Sequence, residues 1–141
     1  MLKLITSGTP PYLDRFKLND FKFIVGPHLI NGNHWLALII DLSHKRFMLL
    51  DPMQPFFSFD SQYECWINYY NKRKDADLSI SWHHDSIYQI PIQTDYFNCG
   101  IFTINFIEQF VLNGSIYFPT DSNPLFSLRQ KVEKKIIEYF K

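Results

Sequence analysis

The stretch that decides the fold is NHWLALIIDLSHKRFMLLDP, residues 33–52. Its first half, 34–42, is apolar enough to predict a strand in the middle of a sheet. The polar residues 43–45 predict a hairpin turn into a second strand, Arg46–Leu50. That strand has to stop before Pro52, because proline has no backbone N–H to donate to a neighbouring strand. The sequence therefore predicts a β-hairpin at the centre of the sheet.

The rest of the pattern predicts an α+β domain in which helices pack against a small antiparallel sheet. Apolar spacing and breaker residues predict irregular structure over 1–20, a loop at 92–98 and strands at 21–25 and 78–82. Three helices are predicted: from 58 or 60 to about 72, over 100–112 and over 124–139. Ser58 or Asp60 is the expected N-cap of the first helix. The helix over 100–112 is apolar almost all round, which predicts that it is buried at the centre of the domain.

Length and composition exclude several classes of protein. A chain of 141 residues with 46% apolar and 20% charged residues is typical of one globular domain, here 1–141. Its 14 basic and 14 acidic residues give zero formal net charge, which removes the electrostatic basis for general nucleic-acid binding. The longest apolar run, 35–40, is too short to span a bilayer. Because two cysteines make no disulfide framework and the first six residues lack a secretory signal, we expect an intracellular protein.

Four polar residues lie where the expected elements begin or end, and such positions commonly carry chemistry. His34 begins the first hairpin strand, Asp51 follows the second, Gln93 lies in the polar loop, and Cys99 precedes the apolar helix. Pairing within the hairpin brings the start of one strand beside the end of the other. We therefore expect Asp51 to lie next to His34, where it holds the imidazole in one tautomer and favours its charged form.

Cys99 stands at an expected helix N-terminus, where the helix dipole and free backbone N–H groups favour the nucleophilic thiolate. Gly100 lets a substrate backbone approach without a side chain in the way. Gln93, six residues before Cys99, is placed to donate its amide to an oxyanion together with the N–H of Cys99. Taken singly, such a cysteine is most often a small core residue. Together with His34 and Asp51, it makes the nucleophile, base and orienting group of acyl transfer.

Three segments resemble the Ulp/sentrin (SUMO)-specific protease family of cysteine peptidases, including the Ulp-like domains of transposon-encoded proteins. They are NHWLALII at 33–40, LLDP at 49–52 and IPIQTDYFNCGIF at 90–102, and they follow the family order His, Asp, Gln, Cys. The similarity extends roughly over residues 20–112. It implies a papain-like fold of the Ulp/adenain type, with a small mixed or antiparallel sheet and a buried central helix that begins at the nucleophile.

The resemblance also implies a role for each matching residue. The expected catalytic residues are His34 as general base, Asp51 as its orienting carboxylate, Cys99 as nucleophile and Gln93 as oxyanion donor. Trp35 is expected to form a wall of the narrow channel that admits a Gly-Gly tail. Asn98 and Gly100 are the other expected substrate-binding residues.

The function implied by the resemblance is that of a cysteine protease. It is expected to be a peptidase or isopeptidase that cleaves after the Gly-Gly tail of a ubiquitin-like, SUMO-like protein. That ubiquitin-like protein or its conjugates are the expected partners, with no nucleic acid and no membrane, and the sequence leaves the oligomeric state open. No metal ion or other cofactor is expected, and the expected location is the nucleus or cytoplasm.

Two departures from the family pattern keep alternatives open. SUMO proteases usually have aspartate before the nucleophile, whereas this chain has Asn98, as in many transposon-type relatives. Only 33 residues precede His34, so the N-terminal portion is expected to be absent or shortened relative to the family. The alternatives are a viral or transposon-type polyprotein endopeptidase, as in the adenovirus protease, and a catalytically impaired module that only binds a ubiquitin-like protein.

Three other features are expected to be structural. His83 and His84, next to Asp85, are adjacent on an extended chain and point to opposite faces, which disfavours a shared metal ion. Cys65 lies on an apolar helix stripe and is expected to be a core thiol, with a redox role as the minor alternative. The basic run 72–74 is expected to be a solvated helix end, with contact to an acidic face of a ubiquitin-like partner as the minor alternative.

Overall fold

The hairpin formed by residues 34–50 lies in the middle of a four-stranded sheet. The structure, a computed structural model, describes residues 13–53, 59–84, 89–120 and 122–139. The strands are β1 (Phe23–Ile30), β2 (His34–Asp41), β3 (Arg46–Leu50) and β4 (His83–His84), in the order β1-β2-β3-β4. The first three pair antiparallel, and β4 pairs with β3 in parallel, so the sheet is mixed.

The sequence pattern correctly predicts the hairpin and its turn. Asp41 pairs with Arg46 at the end of the ladder. The Asp41 carboxylate accepts the backbone N–H groups of Ser43 and His44, both at 3.0 Å. A side chain that binds its own turn in this way favours the reversal of the chain.

Helices cover both faces of this sheet. They are α1 (Asp60–Asn71), α2 (Cys99–Asn113) and α3 (Ser122–Tyr139), and two short 3-10 helices, Leu13–Arg15 and Leu18–Asp20, precede β1. Because side chains alternate along a strand, β2 contributes to two cores. One contains Leu36, Leu38 and Ile40 with Trp66, Tyr69 and Tyr70 of α1. The other contains Ala37 and Ile39 with Phe102, Phe106 and Phe110 of α2. β2 therefore lies buried between two helices.

The structure corrects both outlying strand predictions. The strand expected at 21–25, ending before Gly26 and Pro27, instead begins at Phe23 and continues to Ile30. β1 is the outer strand of the described sheet, and an outer strand tolerates proline where the missing N–H would face solvent. The strand expected at 78–82 is wrong, since these residues form no strand, and Leu78 and Ile80 are exposed.

The helix predictions are correct in place and wrong in detail. α2 is not buried all round, because Ile104, Val111 and Leu112 are exposed. It ends as expected at Gly114, whose φ of 66° lies in the left-handed region. Asp60 is the first residue of α1 and not its cap, which is Phe59, and the alternative cap Ser58 lies outside the described residues. Of the region 1–20, the structure describes 13–20, which contains the two 3-10 helices.

Arg73 contradicts the expectation that the basic run 72–74 is solvated. Its side chain is only 7% exposed. Its guanidinium donates to the Asp75 carboxylate, to the Tyr69 hydroxyl and to the backbone carbonyls of Leu13 and Phe16. Arg73 therefore ties the segment before β1 to the end of α1.

We expect the Arg73→Lys variant to lose about 2 kcal/mol of unfolding free energy. Lysine keeps the charge, but a single ammonium cannot make the several directed hydrogen bonds of the guanidinium, and bonds to charged groups are worth about 1.5–3 kcal/mol each. Urea denaturation measures the loss. Lys72→Arg is the control, because Lys72 is exposed. Equal stability of both variants and the wild type would contradict the tying role of Arg73.

Candidate active site

His34 and Asp51 form a hydrogen-bonded pair at the edge of the central hairpin. His34 is the first residue of β2, and Asp51 directly follows the last residue of β3. His34 Nε2 lies 2.8 Å from Asp51 Oδ1, with side chains 14% and 4% exposed. The structure thus brings these two residues together as the hairpin predicts.

The carboxylate determines which imidazole nitrogen is left for chemistry. Asp51 Oδ1 accepts the backbone N–H of Met53 at 2.8 Å as well as the His34 contact, which fixes the orientation of the carboxylate. Asp51 Oδ2 is buried and has no hydrogen-bond partner among the described residues. Since Nε2 of His34 faces Asp51, the other ring nitrogen, Nδ1, is the one that can accept a proton.

Cys99 is the first residue of α2 and is 8% exposed. A Cβ added at Gly100 would lie 3.9 Å from Trp35 Cδ1. Because Trp35 follows His34 and Gly100 follows Cys99, this proximity brings the start of β2 beside the start of α2. The first backbone N–H groups of a helix have no acceptor within it, so they are available at this point. Trp35 is 37% exposed and is therefore not a buried core residue.

Gln93 connects the end of β3 to the loop before α2. It is 6% exposed, and its backbone N–H donates to the Pro52 carbonyl at 2.7 Å. Its amide nitrogen lies 2.6 Å from the Asp95 backbone carbonyl and 3.2 Å from Asp95 Oδ1. The amide oxygen of Gln93 is buried and without a hydrogen-bond partner among the described residues. Gln93 thus lies beside Pro52, the residue after Asp51, and its amide nitrogen is held by Asp95.

Asp95 and Arg129 were missed by sequence reasoning. Asp95 Oδ1 accepts the N–H groups of Phe97 at 2.9 Å and Asn98 at 2.8 Å, and its Oδ2 accepts the Asn98 amide at 2.5 Å. Asn98 Oδ1 accepts Nε of Arg129, from α3, at 2.7 Å. An aspartate in a polar loop is a recognisable signal for a turn in which its side chain accepts the N–H groups two and three residues on. The sequence carries no signal for Arg129, which lies 31 positions from Asn98.

These hydrogen bonds set the charge state of the loop. Burial would raise the pKa of Asp95, but the N–H groups of Phe97, Asn98 and Gln93 outweigh that effect and hold its pKa below the usual value. Asp95 is therefore an acceptor at neutral pH. The Asn98 side chain is fully engaged within the protein, between Asp95 and Arg129.

Comparison with known proteins identifies the family. Residues 8–141 match the model of the Ulp1 protease family, C-terminal catalytic domain. The chain belongs to the Ulp1 protease family. This assignment agrees with the resemblance noted in the sequence, and the matched region begins before the segments that carry it.

Individual relatives support the same assignment. Ubiquitin-like-specific protease 1A of Arabidopsis thaliana is 23% identical over 109 residues, covering 74% of this chain and 21% of the relative. Two solved structures of the SUMO protease Ulp1 are 18% identical to this Ulp1-family chain. The structure with the catalytic cysteine oxidized to a sulfenic acid has a TM-score of 0.65 and covers 84% of this chain and 53% of its own. The structure with a sulfonic acid has a TM-score of 0.67, with coverages of 88% and 57%.

The likeness to these structures confirms the papain-like α+β fold of the Ulp type. This Ulp1-family chain spans about a fifth of the length of the curated relative and little more than half of the two solved chains.

Other candidate sites in this Ulp1-family chain look structural. The His84 ring stacks on Tyr63 with centroids 5.2 Å apart, whereas His83 is exposed, and Asp85 lies outside the described residues. In the described part of the chain, no group of three or more His, Cys, Asp or Glu residues is arranged to hold a metal ion. Within the same part, no helix has the length and apolar character needed to cross a membrane.

Cys65 is a half-buried thiol on α1 rather than a fully buried one. It lines a cleft of 760 Å³ between α1 and the segment before β1.

We expect Cys99 to react first when a limiting alkylating reagent is added at neutral pH. Accessibility favours Cys65, because Cys99 is buried and Cys65 only partly so. Cys99, however, begins a helix, where the first backbone N–H groups have no acceptor within the helix, and this position is typical of nucleophilic cysteines. Peptide mass mapping at partial labelling measures the ratio of labelled Cys99 to labelled Cys65, and the Cys65→Ala variant is the control. Preferential labelling of Cys65 would contradict the assignment of the nucleophile.

Proposed function

We propose that this chain is a cysteine peptidase or isopeptidase that cleaves after the Gly-Gly tail of a ubiquitin-like protein, most closely a SUMO-like one. One observation carries the proposal: the hydrogen-bonded pair of His34 and Asp51 lies at the end of the sheet where Trp35 meets the start of α2, and Cys99 begins that helix. The family assignment supports the same chemistry. We further propose an intracellular location, since Cys65 and Cys99 are both free thiols.

The proposed reaction is acyl transfer through the thiol. Nδ1 of His34 accepts the proton of the Cys99 thiol, and the thiolate attacks the carbonyl carbon of the terminal glycine. The imidazolium, stabilised by Asp51, then gives its proton to the leaving amine as the C–N bond breaks. A water molecule, deprotonated by His34, attacks the resulting thioester. The glycine carboxylate leaves, and the proton returns to the thiol.

The oxyanion formed in both steps needs hydrogen-bond donors. The backbone N–H of Cys99 is one, because it begins a helix. We assign the second to Gln93. Its amide carries two N–H groups, and one is enough to hold it to the Asp95 carbonyl, 2.6 Å away. The other N–H makes the longer contact with Asp95 Oδ1, at 3.2 Å, and exchanges it for the oxyanion when substrate binds.

The surface around Cys99 suits an extended tail from a protein partner. The ring of Trp35 is 37% exposed beside Gly100, and a ring lying over an extended backbone leaves room only for residues without Cβ. Tyr96 and Phe97, just before the nucleophile, are 90% and 72% exposed and offer apolar contact area. Asn98 contributes its backbone to this surface, because its side chain is engaged elsewhere.

The direct test is covalent capture with an activated probe. We expect a SUMO probe that ends in Gly-Gly and carries a C-terminal electrophile to form an adduct at Cys99, faster than the matching ubiquitin probe. Cys99→Ala abolishes the adduct, and His34→Ala slows it by several orders of magnitude because the base is lost. His83→Ala is the matched control, since His83 is exposed and lies on β4.

Other results would point to the alternatives. Reversible binding of the probe without an adduct would indicate a non-catalytic binding module. Cleavage of extended peptides combined with no reaction toward any ubiquitin-like probe would indicate a polyprotein endopeptidase. Either result contradicts the proposed function.

The role of Trp35 can be tested through the penultimate glycine. We expect a Gly→Ala change at that position of the substrate to lower kcat/KM steeply in the wild type, because the ring excludes the added methyl group. Trp35→Ala is expected to lower kcat/KM for the Gly-Gly substrate and to reduce the ratio of kcat/KM between the Gly and the Ala substrate. The control is Trp66→Phe, because Trp66 lies on α1 and is fully buried in the core between α1 and the sheet. That variant should lose stability and keep the ratio. An unchanged ratio in folded Trp35→Ala would exclude the channel role.

A further inference from the structure

The loop before Cys99 contains a chain of hydrogen bonds that runs in one direction only. Arg129 has donors and no acceptor, so the atom of Asn98 that faces Arg129 Nε at 2.7 Å has to be the amide oxygen. The amide nitrogen of Asn98 then faces Asp95 Oδ2, at 2.5 Å. Position 95 must therefore supply an acceptor. The order of donation is from Arg129 to Asn98 to Asp95.

Asp95 also holds the two groups assigned to the oxyanion. Its Oδ1 accepts the backbone N–H groups of Phe97 and Asn98, which fixes the backbone immediately before Cys99. Its backbone carbonyl and Oδ1 both accept from the Gln93 amide nitrogen. The nitrogen of that amide, and not its oxygen, therefore faces Asp95. One residue thus sets the positions of the Gln93 amide and of the backbone that leads into α2.

We propose that Asp95 and Asn98 act as a reciprocal pair of positioning residues, with Arg129 dictating which of the two donates, and that this pair aligns Gln93 with the N–H of Cys99. The inference rests on the proposed function for its effect on turnover. It assigns no contact with substrate to either side chain. What the structure requires is one acceptor and one donor facing each other, in an order compatible with Arg129.

The proposal predicts that Asn98→Asp and Asp95→Asn each disrupt the alignment of Gln93, whereas the double variant preserves it. Asn98→Asp places two carboxylates against each other at the 2.5 Å contact. Asp95→Asn places two amide nitrogens there, because Arg129 prevents the Asn98 amide from turning over. In the double variant, the amide at position 95 donates to the carboxylate at position 98, which also accepts from Arg129. The oxygen at position 95 still accepts the backbone N–H groups of the loop.

The experiment compares the wild type, both single variants and the double variant in steady-state turnover of a Gly-Gly substrate. We expect each single variant to lose about tenfold or more in kcat with little change in KM, and the double variant to recover to within about threefold, a coupling typical of hydrogen-bonded neighbours. Asp77→Asn is the matched control, because the Asp77 carboxylate bonds only its neighbour Ser79 among the described residues. Additive losses in the double variant would overturn the proposal.

A pH series separates alignment from plain stability. Between two facing carboxylates, the loss of one charge is favoured, and the protonated acid becomes a donor. The activity of Asn98→Asp relative to the wild type is therefore expected to rise as the pH falls from about 8 to about 5.5. A constant ratio with a lowered melting temperature would show that the pair only stabilises the fold, and would overturn the positioning role.

Two further measurements keep the test independent of turnover. The rate of Cys99 alkylation should show the same pattern of loss and recovery across the variants. If the wild type does not turn over the substrate, the proposed function is refuted, and the alkylation rates still test the pair of Asp95 and Asn98. If a single variant is poorly folded, Arg129→Ala is added to Asp95→Asn. Without Arg129, the Asn98 amide can turn over and accept, so Cys99 reactivity is expected to recover in part. No recovery would contradict the direction assigned to the chain of hydrogen bonds.

Discussion

The register of β2 against β3 is the constraint on which the rest of the site depends. Ala37 faces Leu50 across the ladder, so the first residue of β2 and the first residue beyond β3 meet at the same end of the sheet. A shift of one residue would move every side chain of the hairpin to the other face. It would separate His34 from Asp51 and would also exchange the apolar residues that fill the two cores, which differ in size. The free energy of folding therefore maintains the contact between His34 and Asp51.

Much of this arrangement can be predicted from the sequence because it is local. The hairpin combines an apolar run, a polar turn and a proline that stops the second strand, and all three signals agree. The start of α2 and the end at Gly114 follow from equally local signals. The resemblance to the Ulp family then adds predicted roles for His34, Asp51, Gln93 and Cys99.

The errors concern features that depend on distant contacts. Gly26 and Pro27 look like the end of a strand, but eight consecutive pairs with β2 carry β1 past them. Residues 78–82 alternate as a strand does, yet pairing needs a neighbouring strand, and none in the described sheet meets them. Arg73 binds carbonyls 57 and 60 positions away, and Arg129 binds Asn98 31 positions away. No periodicity in the sequence encodes such contacts.

The attachment of α3 has a consequence for dynamics. Near its start, α3 packs into the α2 core through Leu125 and Leu128. Farther along, Lys131 and Lys135 pair with Glu108 on the exposed surface, and Arg129 bonds Asn98. Exposed ion pairs are weak and are screened by salt, so the part of α3 beyond Leu128 belongs to the regions that open locally before the core does. Each such opening would withdraw Arg129 and release the Asn98 amide. The geometry around the thiol is therefore coupled to the equilibrium between the docked and the frayed last helix, and ionic strength can shift that equilibrium.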